Sequence, residues 1–165
     1  MSPTSTNRTS DRRRFNTDGV VHIPSHLTSD TVQALNEKLR HYVQKDPTSN
    51  DYGILRNNIW TEISVFRSEL QRGELAALAM SLLDCSSVIC FQDNAICKPP
   101  GTSDEVNWHQ DYSYWPLDRP DGITLWVSLT EASLPSLHST DLMFETPLYL
   151  TALTFILSRG FGVLG

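Results

Sequence analysis

The chain has 165 residues, of which 39% are hydrophobic and 19% charged, with a formal net charge of −6. At about 100–200 residues per domain this length is one domain, and the composition is too apolar for a disordered chain. Thirteen Lys and Arg against nineteen Asp and Glu argue against a nucleic-acid or anionic-membrane surface, and the longest apolar stretch, Leu148 to Leu157, falls far short of the roughly 20 residues of a spanning helix.

Residues 1–14 are Ser, Thr and Arg with no apolar face, so they are expected to form a disordered tail. Arg12, Arg13 and Arg14 read as solvated; a transit peptide would need an amphipathic apolar stripe that is absent before Phe15. With no secretory, membrane or peroxisomal signal and an odd count of three cysteines (Cys85, Cys90, Cys97), a cytoplasmic location with reduced thiols is expected. The C-x4-C-x6-C spacing lacks the paired C-x2-C of a zinc site, and these cysteines read as packing residues.

Asp18-Gly19-Val20-Val21-His22-Ile23-Pro24 reads as a turn into a short strand stopped by proline. Pro24 separates His22 from His26, which belong to a strand end and a turn rather than to a metal-binding helix face. Thr28 or Ser29 then caps a helix in which Val32, Leu35, Leu39 and Val43 recur at helical spacing and Asp30 complements the dipole. Residues 46–58 read as loop, and Glu74–Leu83 as a largely buried helix.

Val88 to Lys98 alternates as a strand. Gln92, Asn94, Ile96 and Lys98 share one face, and Ile89, Phe91, Asp93, Ala95 and Cys97 the other. The first face either lines a polar cavity or meets bulk water. A polar turn at 99–104 leads to a second extended run beginning Trp108-His109-Gln110-Asp111. Another turn at 118–122 precedes Ile123–Thr130, which alternates as a half-buried strand. Strands separated by turns and preceded by helices predict an α+β protein built on an antiparallel sheet or barrel.

His109 and Asp111 are two apart, so on a strand both leave the same face and can reach one ion. With a distant second histidine they would form the two-histidine, one-carboxylate set that leaves positions open on a non-haem Fe(II). No G-x-S-x-G of a serine hydrolase and no G-x4-G-K-[ST] phosphate loop occurs.

The string Lys98-Pro99-Pro100-Gly101, Trp108-His109-Gln110-Asp111, Tyr114-Trp115-Pro116 and Leu125-Trp126 resembles the phytanoyl-CoA dioxygenase family of Fe(II)- and 2-oxoglutarate-dependent oxygenases. The opening Phe15-x-x-Asp18-Gly19-Val20-Val21-x-Ile23-Pro24 looks like the start of its members, and the resemblance covers about residues 15–133. It implies a double-stranded β-helix, or jelly roll, with His109 and Asp111 as catalytic metal ligands. Asn94 and Trp126 would lie near the 2-oxoglutarate pocket, and Lys98 could lend charge to that dicarboxylate. Gln110 would point away from the metal, and Tyr112, Tyr114 and Trp115 could wall the substrate side. The implied reaction couples decarboxylation of 2-oxoglutarate by O₂ to hydroxylation of a small organic or acyl substrate.

The family pattern adds a downstream histidine after an Asn-Gly strand start and, beyond it, an arginine for the co-substrate. Only His138 and Arg159 follow Ser133, and neither lies in that context. Residues 134–165 are therefore expected to be an aberrant tail on a barrel incomplete at its C-terminus, a truncated or misjoined oxygenase. A non-catalytic remnant or binding module is the alternative, and open strand edges would promote self-association.

Overall fold

A computed structural model describes residues 5–45, 54–98, 111–116, 122–130 and 148–157. Among the described residues four helices, α1 (Ser5–Asp18), α2 (Ser29–Lys45), α3 (Ser64–Arg72) and α4 (Glu74–Leu83), precede most of a four-stranded sheet. Its strands are β1 (Ile54–Asn57), β2 (Val88–Lys98), β3 (Gly122–Ser128) and β4 (Leu148–Leu157), in the order β1-β2-β4-β3 and all antiparallel.

α2 begins where the capping chemistry expects it. The Thr28 hydroxyl accepts the Thr31 backbone N–H at 3.2 Å, Asp30 lies in the first turn and Lys45 in the last, complementing the dipole at both ends. Its buried stripe of Leu35, Leu39 and Val43 packs with Ile59, Ile63, Phe66, Ala95, Cys97 and Leu129. α4 buries Leu75, Leu78, Ala79 and Leu82 against Ile123 and Phe155. Gly73, at φ +78°, closes α3 and opens α4, turning the chain between two helices in a conformation that costs glycine little.

Several sequence expectations are corrected. Residues 5–14 belong to α1 rather than to a disordered tail: Gly19 at φ +75° closes the helix with its N–H on the Phe15 carbonyl, and Arg12 pairs with Asp84 at 2.5 Å. Val20–Pro24 forms no ladder; Val21 and Ile23 instead pack against the α4 cluster as irregular chain. Residues 54–57, read as loop, are β1, paired from Ile54 opposite Cys97 to Asn57 opposite Asn94. α3, whose Phe66 is buried, was not anticipated. Leu148–Leu157, assigned to a tail outside the domain, is the strand between β2 and β3, and its Phe155 is buried in the α4 cluster.

β2 matches its predicted bounds, but the alternation is interrupted. Cys90 faces Phe155 and Gln92 faces Thr154, so Phe91 is an extra residue, a β-bulge. The bulge shifts the phase: Val88 and Cys90 join the α4 cluster on one side, Asp93, Ala95 and Cys97 are buried beyond it, and Ile89 is exposed. Helices therefore cover one face of the sheet. The other carries Gln92, Asn94, Ile96 and Lys98 from β2 with Thr124, Trp126 and Ser128 from β3.

Among the described residues the sheet has four strands, and the helical layer makes the architecture α+β.

Candidate active site

The uncovered face is organised in rungs, because directly paired residues of antiparallel strands project to the same side. Gln92 and Thr124 are aligned across β4 in one rung. Asn57, Asn94 and Trp126 are aligned in the next, about 7 Å along the strands. Asn94 and Trp126, picked out separately in the sequence, thus stand in line, about 10 Å apart across β4. Trp126 is 57% exposed despite its size, which is unusual for an indole in the middle of a sheet. Lys98 is two rungs beyond Asn94, roughly 13 Å further, so the register does not bring it to this group.

Asp111 reaches the same face from above. The Thr124 hydroxyl donates to Asp111 Oδ2 at 2.7 Å, the short distance of a charge-assisted bond. Four residues on, Trp115 meets the bulge residue Phe91 edge to face, ring centroids 6.5 Å apart. The segment 111–116 is therefore anchored at two points, β3 and the β2 bulge. Asp111 opens a 3-10 turn, Asp111–Tyr114, rather than continuing an extended run. The expectation that strand alternation aligns it with His109 is replaced on its side by the Thr124 tether; His109 itself, with Trp108, Gln110, His138 and Arg159, lies outside the described residues. Tyr114 is 76% exposed beside this turn.

Sequence reasoning missed Thr124 and Asn57. The parity of Thr124, Trp126 and Ser128 marks the uncovered face of β3, but only the tertiary contact shows that Thr124 holds a carboxylate. Ligating carboxylates are commonly oriented by a hydrogen bond of this kind. The group sets a carboxylate, fixed by a hydroxyl, on a face that also carries an amide and an exposed indole. Among the described residues no three His, Cys, Asp or Glu side chains gather at one point, so Asp111 is the ligand candidate that this part of the chain contributes.

The opposite face holds a second carboxylate of a different kind. Asp93 is fully buried; its Oδ2 accepts the Trp60 N–H at 3.3 Å, its backbone carbonyl accepts the Asn58 N–H at 2.8 Å, and Oδ1 has no hydrogen-bond partner among the described residues. Burial pushes its carboxyl up to about 6, against the lowering effect of the backbone N–H groups of Trp60 and Ile59. Burial, with the nearby Asp93 charge, likewise pushes the Cys90 thiol up to about 11, which leaves it protonated and unreactive. Both groups lie on the helix-covered side, and Asp93 ties the 3-10 turn Ile59–Thr61 to β2 rather than serving the uncovered face.

Residues 15–135 match the family described as phytanoyl-CoA dioxygenase (PhyH). The chain belongs to this family. Membership implies Fe(II) as cofactor and 2-oxoglutarate as co-substrate. The fold is similar to that of SnoN, described as a non-heme alpha ketoglutarate dependent epimerase from nogalamycin biosynthesis. The TM-score is 0.73 at 16% identity, over 93% of this chain and 84% of that one. No curated protein matches the chain. No described helix is long and apolar enough to cross a membrane.

Proposed function

We propose that the chain is an Fe(II)- and 2-oxoglutarate-dependent dioxygenase that hydroxylates a small organic or acyl substrate with O₂, and that the uncovered sheet face is its active site. The observation that carries this reading is the Thr124 to Asp111 hydrogen bond, which fixes a carboxylate one rung from Asn94 and Trp126.

In this reading His109 and Asp111 hold the metal, which when bound gives 2-oxoglutarate and O₂ a common centre at which to react. Thr124 keeps one oxygen of Asp111 occupied and so limits how the carboxylate can turn. The Trp126 indole offers an apolar wall to the carbon chain of the co-substrate, and the Asn94 amide can donate to one of its carboxylate oxygens. Trp115, packed on Phe91, keeps the turn that carries Asp111 closed over the sheet. Lys98 is a weaker candidate for the dicarboxylate because of its distance along β2.

The test is succinate formation from 2-oxoglutarate in air with added Fe(II). Turnover that disappears in both His109→Ala and Asp111→Ala supports the dioxygenase. Tight binding of Fe(II) and 2-oxoglutarate with no succinate, across a panel of acyl and small organic substrates, would instead identify a binding module that retains part of the barrel.

A further inference from the structure

A cleft lies away from the uncovered sheet face that carries Asp111. Between α1 and α4 runs an open cleft of about 1310 Å³, with Arg8, Arg12, Arg13 and Thr17 on the α1 wall and Ser81 and Ser86 on the α4 side. That volume exceeds the roughly 300–1,000 Å³ of ordinary small-molecule sites. The three arginines face one carboxylate, Asp84, in a chain whose formal net charge is −6.

These arginines concentrate positive charge on one stretch of α1. Arg8 and Arg12 are four apart on one helix face and Arg13 is adjacent, so like charges crowd together. Arg12 is compensated by Asp84 at 2.5 Å, while Arg8 and Arg13 have no ion-pair partner among the described residues. α1 carries no acidic residue in its first turn and no basic one in its last, and a helix of 14 residues is marginal alone. Arg8 and Arg13 are exposed and so open to a ligand, and they line a cleft edged with hydroxyl donors.

We propose that this cleft binds a phosphorylated small molecule carrying a diphosphate or longer phosphate chain. Guanidinium forks from Arg8 and Arg13 grip the phosphate oxygens in two-point hydrogen bonds, and the hydroxyls of Ser81 and Ser86 complete the cradle. The Arg12–Asp84 pair docks α1 on the end of α4 and stays intact when the anion enters. A lipid surface is the poorer occupant, because α1 has no apolar face to insert. The site is separate from the metal reading: α4 packs on the covered face of the sheet, and residues 8–13 precede the family-matched segment.

Isothermal titration of the full chain with inorganic pyrophosphate and tripolyphosphate, at ionic strength held constant with NaCl, tests the proposal. One-to-one binding is expected, tighter for tripolyphosphate, and weakened at least tenfold in Arg8→Ser/Arg13→Ser, which leaves the docking pair in place. Ser81→Asp, on the opposite wall, should weaken it similarly with α1 untouched, so a loss of α1 structure in the first variant does not leave the question open. Affinity no greater than for sulfate, or binding indifferent to both variants, would overturn the site. Sedimentation with anionic lipid vesicles in the absence of pyrophosphate binding would overturn it in favour of a headgroup surface.

Discussion

The two faces of the sheet are drawn from the same strands yet answer to different demands. On the covered face Ala95, Cys97, Ile123 and Phe155 are each at most 5% exposed, and even a carboxylate, Asp93, is sealed in. On the other, Trp126 remains 57% exposed and Asp111 accepts the Thr124 hydroxyl. Alternation assigns each residue to a face, so neighbours such as Asp93 and Asn94 have opposite fates: one is a structural anchor whose charge the fold resists, the other part of a candidate site. The Phe91 bulge marks where this division changes phase, and it is also where Trp115 fastens the Asp111 turn.

If that division is right, substitutions on the covered face act on stability and those on the uncovered face on binding. Leu39, with no exposure, should be the most costly: Leu39→Ala is expected to lose about 2–5 kcal/mol in urea denaturation. Asp93 comes next. Its carboxyl rises from 3.8 to about 6 in the fold, so the unfolded chain gives up this proton first. Its contribution is fully present below about pH 4 and is lost as pH rises through about 6, a fall of roughly 3 kcal/mol. Asp93→Asn keeps an acceptor for the Trp60 N–H and should remove that fall, making the variant more stable than the wild type at pH 7; an unchanged pH profile would place the titration elsewhere.

On the uncovered face, Thr124→Val removes the hydrogen bond to Asp111 and should weaken Fe(II) binding about tenfold, with thermal stability nearly unchanged. A variant that instead loses stability and keeps its metal affinity would make Thr124 a structural residue. Trp126→Ala should have the smallest effect on folding, under about 0.5 kcal/mol, while reducing 2-oxoglutarate affinity. Equal losses of stability in Leu39→Ala and Trp126→Ala would erase the distinction between the faces.

What was legible in the sequence follows from how local each signal is. α2 and α4 announce themselves through periodic leucines and a Thr cap, and β2 through alternation, because these depend on residues close in the chain. β1 has four residues and no pattern of its own; its pairing with β2 makes it a strand. α1 lacks an apolar stripe, and it is joined to α4 by Arg12 and Asp84, 72 residues apart. The central position of β4 could not be read from its composition, since an apolar run with Thr at 151 and 154 suits helix or strand, and its partners lie far upstream. In the site, Asn94, Asp111 and Trp126 were visible through the family pattern, whereas the 3-10 turn and its Thr124 tether arise from a contact 13 residues away.

The central claim is that Asp111, held over the uncovered face, is a ligand in a metal centre that 2-oxoglutarate completes. Anaerobic Fe(II) titration of the full chain, with and without 2-oxoglutarate, measures it directly. Micromolar binding that the co-substrate tightens, reduced at least about 100-fold in Asp111→Ala with the circular dichroism spectrum unchanged, is the predicted result. Fe(II) affinity equal in the wild type and Asp111→Ala, whether or not 2-oxoglutarate is present, would contradict it.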